Sequence, residues 1–185
     1  KLGNNISSFN FSKEAFYNKV WNNMTTQARG LFIDTNNYLV VARSYNKFFN
    51  LDEREETKYD NLKEKLVYPI NFYLKYNGFL GILSIYDNEF VFGTKSQLDG
   101  EFSNYFKNIF YKIFDKKQIE AIKNRLLKNE SSMIFEVVDS NNDKHIIEYE
   151  KDRLILLDEI YNSIEYLKID YTELKSFADK TVISF

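Results

Sequence analysis

Between Glu101 and Phe114, Phe102, Tyr105, Phe106, Ile109, Phe110, Ile113 and Phe114 recur at i, i+3 and i+4. This spacing gathers them on one side of a helix and on no single face of a strand. Such a stripe needs a flat apolar surface to cover, so it commits the chain to a helix docked on a sheet. Lys117 to Lys128 continues as a second helix with Ile119, Ile122 and Leu126 inward, and Asn129-Glu130 ends it.

Strand character lies on both sides of these helices. Leu31–Ile33 and Tyr38–Val41 flank the turn Asp34-Thr35-Asn36-Asn37, and from Ile70 the chain reads as strands over about 70–75, 79–86 and 89–95, with Asp87-Asn88 as a tight turn. Strand signals return at Met133–Val138, His145–Tyr149 and Leu154–Leu157. Strands, then helices, then strands argue for an α+β domain with a largely antiparallel sheet. Ser12 caps an expected amphipathic helix from Lys13 to about Asn23, carrying Phe16, Val20 and Trp21. The charged run within Leu51–Lys65 reads as a solvated loop or short helix.

At 185 residues without cysteine, the chain is one domain that needs no disulfide and has no Cys-ligated metal, and it fits a cytoplasmic setting. A net charge of −2 makes any contact with nucleic acid local rather than global. No stretch approaches the apolar length of a membrane-spanning helix. The single histidine, His145, reads as a strand residue, and neither a Ser-His-Asp nor a zinc constellation is available.

Lys75-Tyr76-Asn77-Gly78 is the one place where a lysine is followed three residues later by glycine. At a strand end, such a lysine can attack phosphorus while the glycine lets the backbone approach a phosphate. Taken alone, the tetrapeptide reads as a hairpin with a solvated lysine. Arg29 enters the first strand of the early hairpin and Arg43 leaves the second, so both guanidinium groups are expected at one spot. In Lys47-Phe48-Phe49-Asn50, an aromatic pinned in the core stands beside a lysine offered to an anion. A two-residue turn at Asp87-Asn88 sets Leu80 opposite Lys95, at the same end as Lys75. Glu136 interrupts an apolar strand; it faces either water or a cleft.

In order, Ala28-Arg29-Gly30-Leu31-Phe32, Ala42-Arg43-Ser44 to Lys47-Phe48-Phe49-Asn50, Lys75-Tyr76-Asn77-Gly78 and Phe135-Glu136-Val137 resemble the adenylyltransferase core of the RNA ligase 1 family. The fungal tRNA ligase adenylyltransferase domain is similar in its R-G-L-F, K-F-F-N and K-x-N-G pieces. The resemblance runs from about residue 5 to 160. It implies a nucleotidyltransferase fold in which Lys75 is adenylylated by ATP, Gly78 belongs to the same motif, Arg29 and Lys47 contact the nucleotide phosphates, and Lys95 serves the nucleotide site. It also implies that Glu136 faces the ribose and a metal-bound water, with Mg2+ or Mn2+ as the ion. The implied partner is RNA with 5′-phosphate and 3′-hydroxyl ends, tRNA included, alongside an end-healing kinase or phosphatase.

A lysine with an ordinary pKa near 10.4 is neutral only about once in a thousand at pH 7.4, so a nucleophilic Lys75 needs basic neighbours to lower its pKa. Arg29, Lys47 and Lys95 are the expected neighbours. Ligases of this kind go on to a Glu-Gly and then a Lys-x-Lys; here no Glu-Gly occurs, and the one Lys-x-Lys, Lys63/Lys65, precedes the nucleophile. The chain therefore reads as a partial adenylyltransferase domain over residues 1–185, cut short at its C-terminus, with a motif-bearing core of about 25–160. It is expected to fold but to self-adenylylate poorly, with Lys144 and Lys151 the nearest basic residues to the open flank. The alternatives are a GTP-using capping guanylyltransferase, a DNA ligase and a non-catalytic RNA-binding module.

Overall fold

The computed structural model describes residues 5–143, 147 and 149–185. Strand β1 (Ile6–Phe9) is followed by two short helices, α1 (Lys13–Tyr17) and α2 (Asn23–Gln27), where the spacing predicts a single one. Ser12 caps α1 as expected, accepting from the Ala15 amide at 3.0 Å. The predicted helix is divided by Lys19, which takes a φ of 53°, and by Asn22, whose side-chain oxygen accepts from the Met24 and Thr25 amides and starts a new helix.

Strands β2 (Leu31–Asp34) and β3 (Leu39–Arg43) form the expected hairpin, and β1 pairs with β2 to complete a three-stranded antiparallel sheet. The charged run that follows is solvated, with a 3-10 turn at Glu55–Thr57 and a helix, α3 (Tyr59–Lys65), neither of which buries a residue.

Residues 70–75, read from sequence as a strand, do not form one: Phe72 is 90% exposed and Leu74 77%. A strand needs a free edge to satisfy its backbone. Strand β4 (Phe79–Tyr86) leaves its own lead-in only a short stretch, because β6 takes one side over Phe79–Leu83 and β5 (Glu89–Gly93) the other from Ile82 onward. The Asp87-Asn88 turn closes the β4–β5 hairpin with φ of 50° and 62°, in the register expected, Tyr86 against Glu89. Pairing stops at Ile82 and Gly93, so Lys95 lies just past the strand.

Helices α4 (Glu101–Ile113) and α5 (Lys116–Asn129) follow the predicted stripes closely, and Asp115 caps α5 through the Gln118 amide at 2.8 Å. After β6 (Ser131–Val138) and β7 (Arg153–Tyr161) comes α6 (Tyr171–Thr181), capped by the Asp170 side chain. Of the strand expected over His145–Tyr149, His145, Ile146 and Glu148 lie outside the described residues, as does Lys144 before it; Tyr149 is described and is not in a strand.

The larger sheet runs β5-β4-β6-β7, antiparallel throughout. The alternation along β6 shows its two duties. Met133, Phe135 and Val137 join Phe106, Phe110, Ile122 and Leu126 in a core against the helices. Ile134, on the opposite face, joins Phe32, Val41, Ala42, Ile82, Val91 and Ile160 in a second core against the small sheet. The architecture is thus α+β with antiparallel sheets, helices on one face and a smaller sheet on the other. Burial of a side chain as large as Phe110 contributes about 1.5–3 kcal/mol. No helix among the described residues is long and apolar enough to cross a membrane.

The β2–β3 turn hangs on Asp34, buried at 2% exposure. Its carboxylate accepts from the Tyr86 hydroxyl at 2.5 Å and from the Asn36 amide at 2.8 Å, and these bonds, the Tyr86 one foremost, hold its pKa at about 2. A depressed carboxylate pKa contributes stability that is complete above the unfolded value near 3.8 and is lost as pH falls through the folded value. The melting-temperature gap between the protein and Asp34→Ala is therefore expected to be constant at neutral and mildly acidic pH and to close as pH falls from about 4 to about 2. Thermal unfolding across that range checks it.

Candidate active site

Gly78 stands immediately before β4, and its backbone is fastened to β6. Its amide donates to Glu136 Oε1 at 2.9 Å. A Cβ built on it would lie 2.1 Å from the Val137 carbonyl oxygen, so a glycine is required by close approach. The preceding amide, of Asn77, donates to the Tyr149 hydroxyl at 3.0 Å. Glu136, half-buried, faces the small sheet, as the alternation with Ile134 requires, and stands opposite Leu80.

Lys75 lies three residues upstream, on the exposed segment leading to β4, and its Nζ donates to the Tyr76 carbonyl at 3.2 Å. No described contact joins it to the other cations of the site.

Those cations do come together. Arg29 precedes β2, Lys47 follows β3 and Lys95 follows β5. The Lys95 ammonium has a lowered pKa, first from partial burial, then from the charges of Arg29 and Lys47. The crowding that sequence reasoning assigned to Lys75 thus falls on Lys95. Gly30 explains the closeness: with φ of 61°, its α-carbon is so near Ile82 and the Lys95 carbonyl that a Cβ would lie 2.9 and 3.6 Å from them. Ile82 is two residues from Leu80, which faces Glu136. The cation group and the Gly78–Glu136 junction therefore occupy the same end and face of the larger sheet.

The Arg29 guanidinium packs over the Phe48 ring at 5.3 Å, and burial lowers its pKa. Its Nη1 is out of solvent with no hydrogen-bond partner. A buried cationic donor without an acceptor is costly unless something supplies one. Lys47 Nζ sits 4.0 Å from the Phe49 ring centre and 5.6 Å from that of Trp21, donates to the Phe48 carbonyl at 2.5 Å, and pairs with Glu53 at 3.6 Å. Neither aromatic is a core anchor as expected: Phe48 is 63% exposed, and Phe49 packs edge-on against Trp21. Arg43 does not join Arg29 at one spot. It is buried and held by the Ser163 and Ile164 carbonyls at 2.5 and 2.7 Å.

Beside the K-x-x-G segment lies a cavity of roughly 460 Å³, whose lining includes Tyr45, Leu74, Tyr76, Ile155, Asp158 and Lys168. Leu74 and Tyr76 flank Lys75. Asp158 forms an ion pair with Lys168 and hydrogen-bonds the Tyr45 hydroxyl, whose pKa is pushed up, by burial first. The Tyr166 hydroxyl is pushed up to about 12, again chiefly by burial. Sequence reasoning missed Tyr45, Asp158 and Lys168. Asp158 interrupts an apolar strand just as Glu136 does, and that signal was available for both.

Residues 27–184 match the family model for RNA ligase, so the chain belongs to the RNA ligase family. It is similar to the tRNA ligase of Candida albicans, 26% identical over 189 residues, covering 88% of this chain and 23% of that protein. It is also similar to tRNA ligase 1 of Schizosaccharomyces pombe, 26% identical over 140 residues, covering 68% of this chain and 18% of that protein. The chain spans less than a quarter of the length of these curated relatives.

Gly78→Ala is expected to cost about 1–3 kcal/mol, as overpacking against backbone does, and to free the Lys75 segment from β6. Chemical denaturation, with proteolysis around Lys75 as the local readout, measures both. Lys95, with its lowered pKa, is expected to acetylate faster than an average surface lysine at mildly alkaline pH despite its partial burial; peptide mass mapping of a short reaction with acetic anhydride reads this directly.

Proposed function

We propose that these residues form the nucleotide-binding core of an ATP-dependent RNA ligase of the nucleotidyltransferase fold. The carrying observation is the convergence of Arg29, Lys47 and Lys95, one guanidinium nitrogen buried and unpaired, at the sheet end where Gly78 is bonded to Glu136. Three cations with Glu53 as the one carboxylate paired to them among the described residues suit a polyphosphate.

In this reading the neutral Lys75 amine attacks the α-phosphorus of ATP. A phosphorus–nitrogen bond forms, the bond to the bridging β-oxygen breaks, pyrophosphate leaves and the amine's proton passes to solvent. Arg29, Lys47 and Lys95 neutralise the charge that gathers on the leaving group. The Lys75 side chain, exposed and tied among the described residues only to its neighbour's carbonyl, is free to turn toward phosphates seated on those cations. A 5′-phosphate oxygen of RNA then attacks the lysyl-AMP phosphorus and frees the lysine. Finally a 3′-hydroxyl attacks the RNA phosphate and AMP leaves, joining the ends. The similarity to tRNA ligases supports tRNA as the RNA, with end-healing by an associated kinase or phosphatase.

Mg2+ (or Mn2+) is held by few carboxylates together with substrate phosphates and water. The residues fit that habit in one respect: Glu136 offers a half-buried carboxylate on the small-sheet face, beside Leu80. Glu136 would hold the ion through water. The ion would supply neutralisation of phosphate charge.

The exposed position of Lys75, with no described contact to the cation group, favours as a second reading an RNA-binding module without a covalent step. Radiolabelled ATP and GTP with magnesium separate the readings. A label from ATP alone, mapped to the Lys75 peptide, absent in Lys75→Ala and retained in Lys58→Ala, is expected; Arg29→Ala is expected to lower labelling by roughly 100-fold. Label from GTP instead points to capping chemistry. Salt-sensitive RNA binding with no adduct leaves the non-covalent reading.

A further inference from the structure

Arg43 is 1% exposed, yet among the described residues no carboxylate pairs with it. Its Nη1 donates to the Ser163 and Ile164 carbonyls at 2.5 and 2.7 Å, and its Nη2 to Gln27 Oε1 and Asn46 Oδ1 at 3.1 and 3.2 Å. Its guanidinium lies 5.3 Å from the Tyr166 ring centre, and its backbone amide donates to Ser132 Oγ at 3.0 Å. Burying a cation against neutral acceptors alone is an expensive way to hold a fold together, since an apolar side chain of similar volume would cost less. The acceptors it chose are informative. Gln27 lies two residues before Arg29, Asn46 is the neighbour of Lys47, and the loop after β7 leads to Tyr166 and on to Lys168 in the cavity wall.

We infer that Arg43 is a positioning residue of the nucleotide site. One planar, five-donor group fixes the spacing between the Arg29 and Lys47 segments and locks both to the 163–168 loop. The inference rests on the proposed nucleotide-binding reading for its consequence, but not for its geometry. A lysine cannot replace it, because a single ammonium has no fork with which to serve two pairs of acceptors on different sides. Ser132 completes the arrangement from below: it takes the Arg43 amide and donates to Asn162 Oδ1 at 2.6 Å, so the loop is held at its root as well as at its crown.

Trp21 is the sole tryptophan and touches both Phe49 and Lys47, so its fluorescence reports the placement of the Lys47 segment with no ligand present. The test compares the protein with Arg43→Lys and Arg43→Ala, using Ile122→Ala in the helix-side core as the control for general loss of stability. Acrylamide quenching of Trp21 is expected to rise about twofold in both Arg43 variants but not in the control, and MgATP affinity to fall about tenfold. Millimolar guanidinium is expected to restore quenching and affinity in Arg43→Ala, the opposite of its general effect on a destabilised protein. Unchanged quenching in the Arg43 variants, an equal change in Ile122→Ala, or no recovery with guanidinium overturns the inference. If Arg43→Ala does not fold, the quenching of Arg43→Lys decides. If the unaltered protein binds no MgATP, the nucleotide reading fails, while quenching and its recovery still decide the role of Arg43.

Discussion

Ile82 and Ile134 face each other across the two central strands, both wholly removed from water, and the rest of the molecule depends on that contact. On their face of the sheet, Phe32, Val41 and Ala42 of the small sheet find their apolar surface. On the reverse face, Met133 and Phe135 receive the helices. Because β4 and β6 are occupied on both faces and both edges, they are the least free to move, and everything the site needs is placed relative to them. Gly78 enters β4, Glu136 belongs to β6, and Gly30 sits close to Ile82 itself. The small sheet is thus both a lid on the second core and the carrier of Arg29 and Lys47.

Where a local pattern decides an element, the sequence announced it. The stripes of α4 and α5 and the Asp87-Asn88 turn specify themselves through spacing and backbone preference, and the structure follows them within a residue or so. Ile70–Leu74 has the same apolar look as a strand, but whether it pairs depends on whether an edge is free, which no local pattern records. The side on which a residue lands is equally non-local where the backbone departs from alternation. Gly30, with its positive φ, separates Arg29 from the register of β2, so the meeting of Arg29 and Arg43 inferred from hairpin ends did not follow. Phe48 and Phe49, one of which was read as a core anchor, instead lie against cations, and the second core is filled by residues from six strands.

The candidate site was legible as a set of residues and not as a geometry. Each motif residue could be named because its type is chemically specific, a lysine before a glycine or a carboxylate in an apolar strand. Tyr45, Asp158 and Lys168 could not be found by motif, since their importance lies in lining one cavity from distant parts of the chain.

The electrostatics of the site carry the argument furthest. Cations brought into a partly buried place raise the free energy of the empty protein: burial lowers the pKa of Arg29, and burial first, then the charges of Arg29 and Lys47, lower that of Lys95. Aromatic faces offset part of it: Phe48 lies against Arg29, Phe49 and Trp21 against Lys47, and Phe11 against Lys95 at 5.4 Å. A ring face attracts a cation but, unlike a carboxylate, does not satisfy its hydrogen-bond donors, so Arg29 Nη1 remains without an acceptor. Neutralising these cations with carboxylates would lower the energy of the empty site and remove its preference for an anion. Holding them over aromatic rings keeps them in place and leaves their charge available. Under the nucleotide-binding proposal, that choice of partner, with Glu53 beside Lys47 the one carboxylate paired to these cations among the described residues, matters more for phosphate than the number of positive charges.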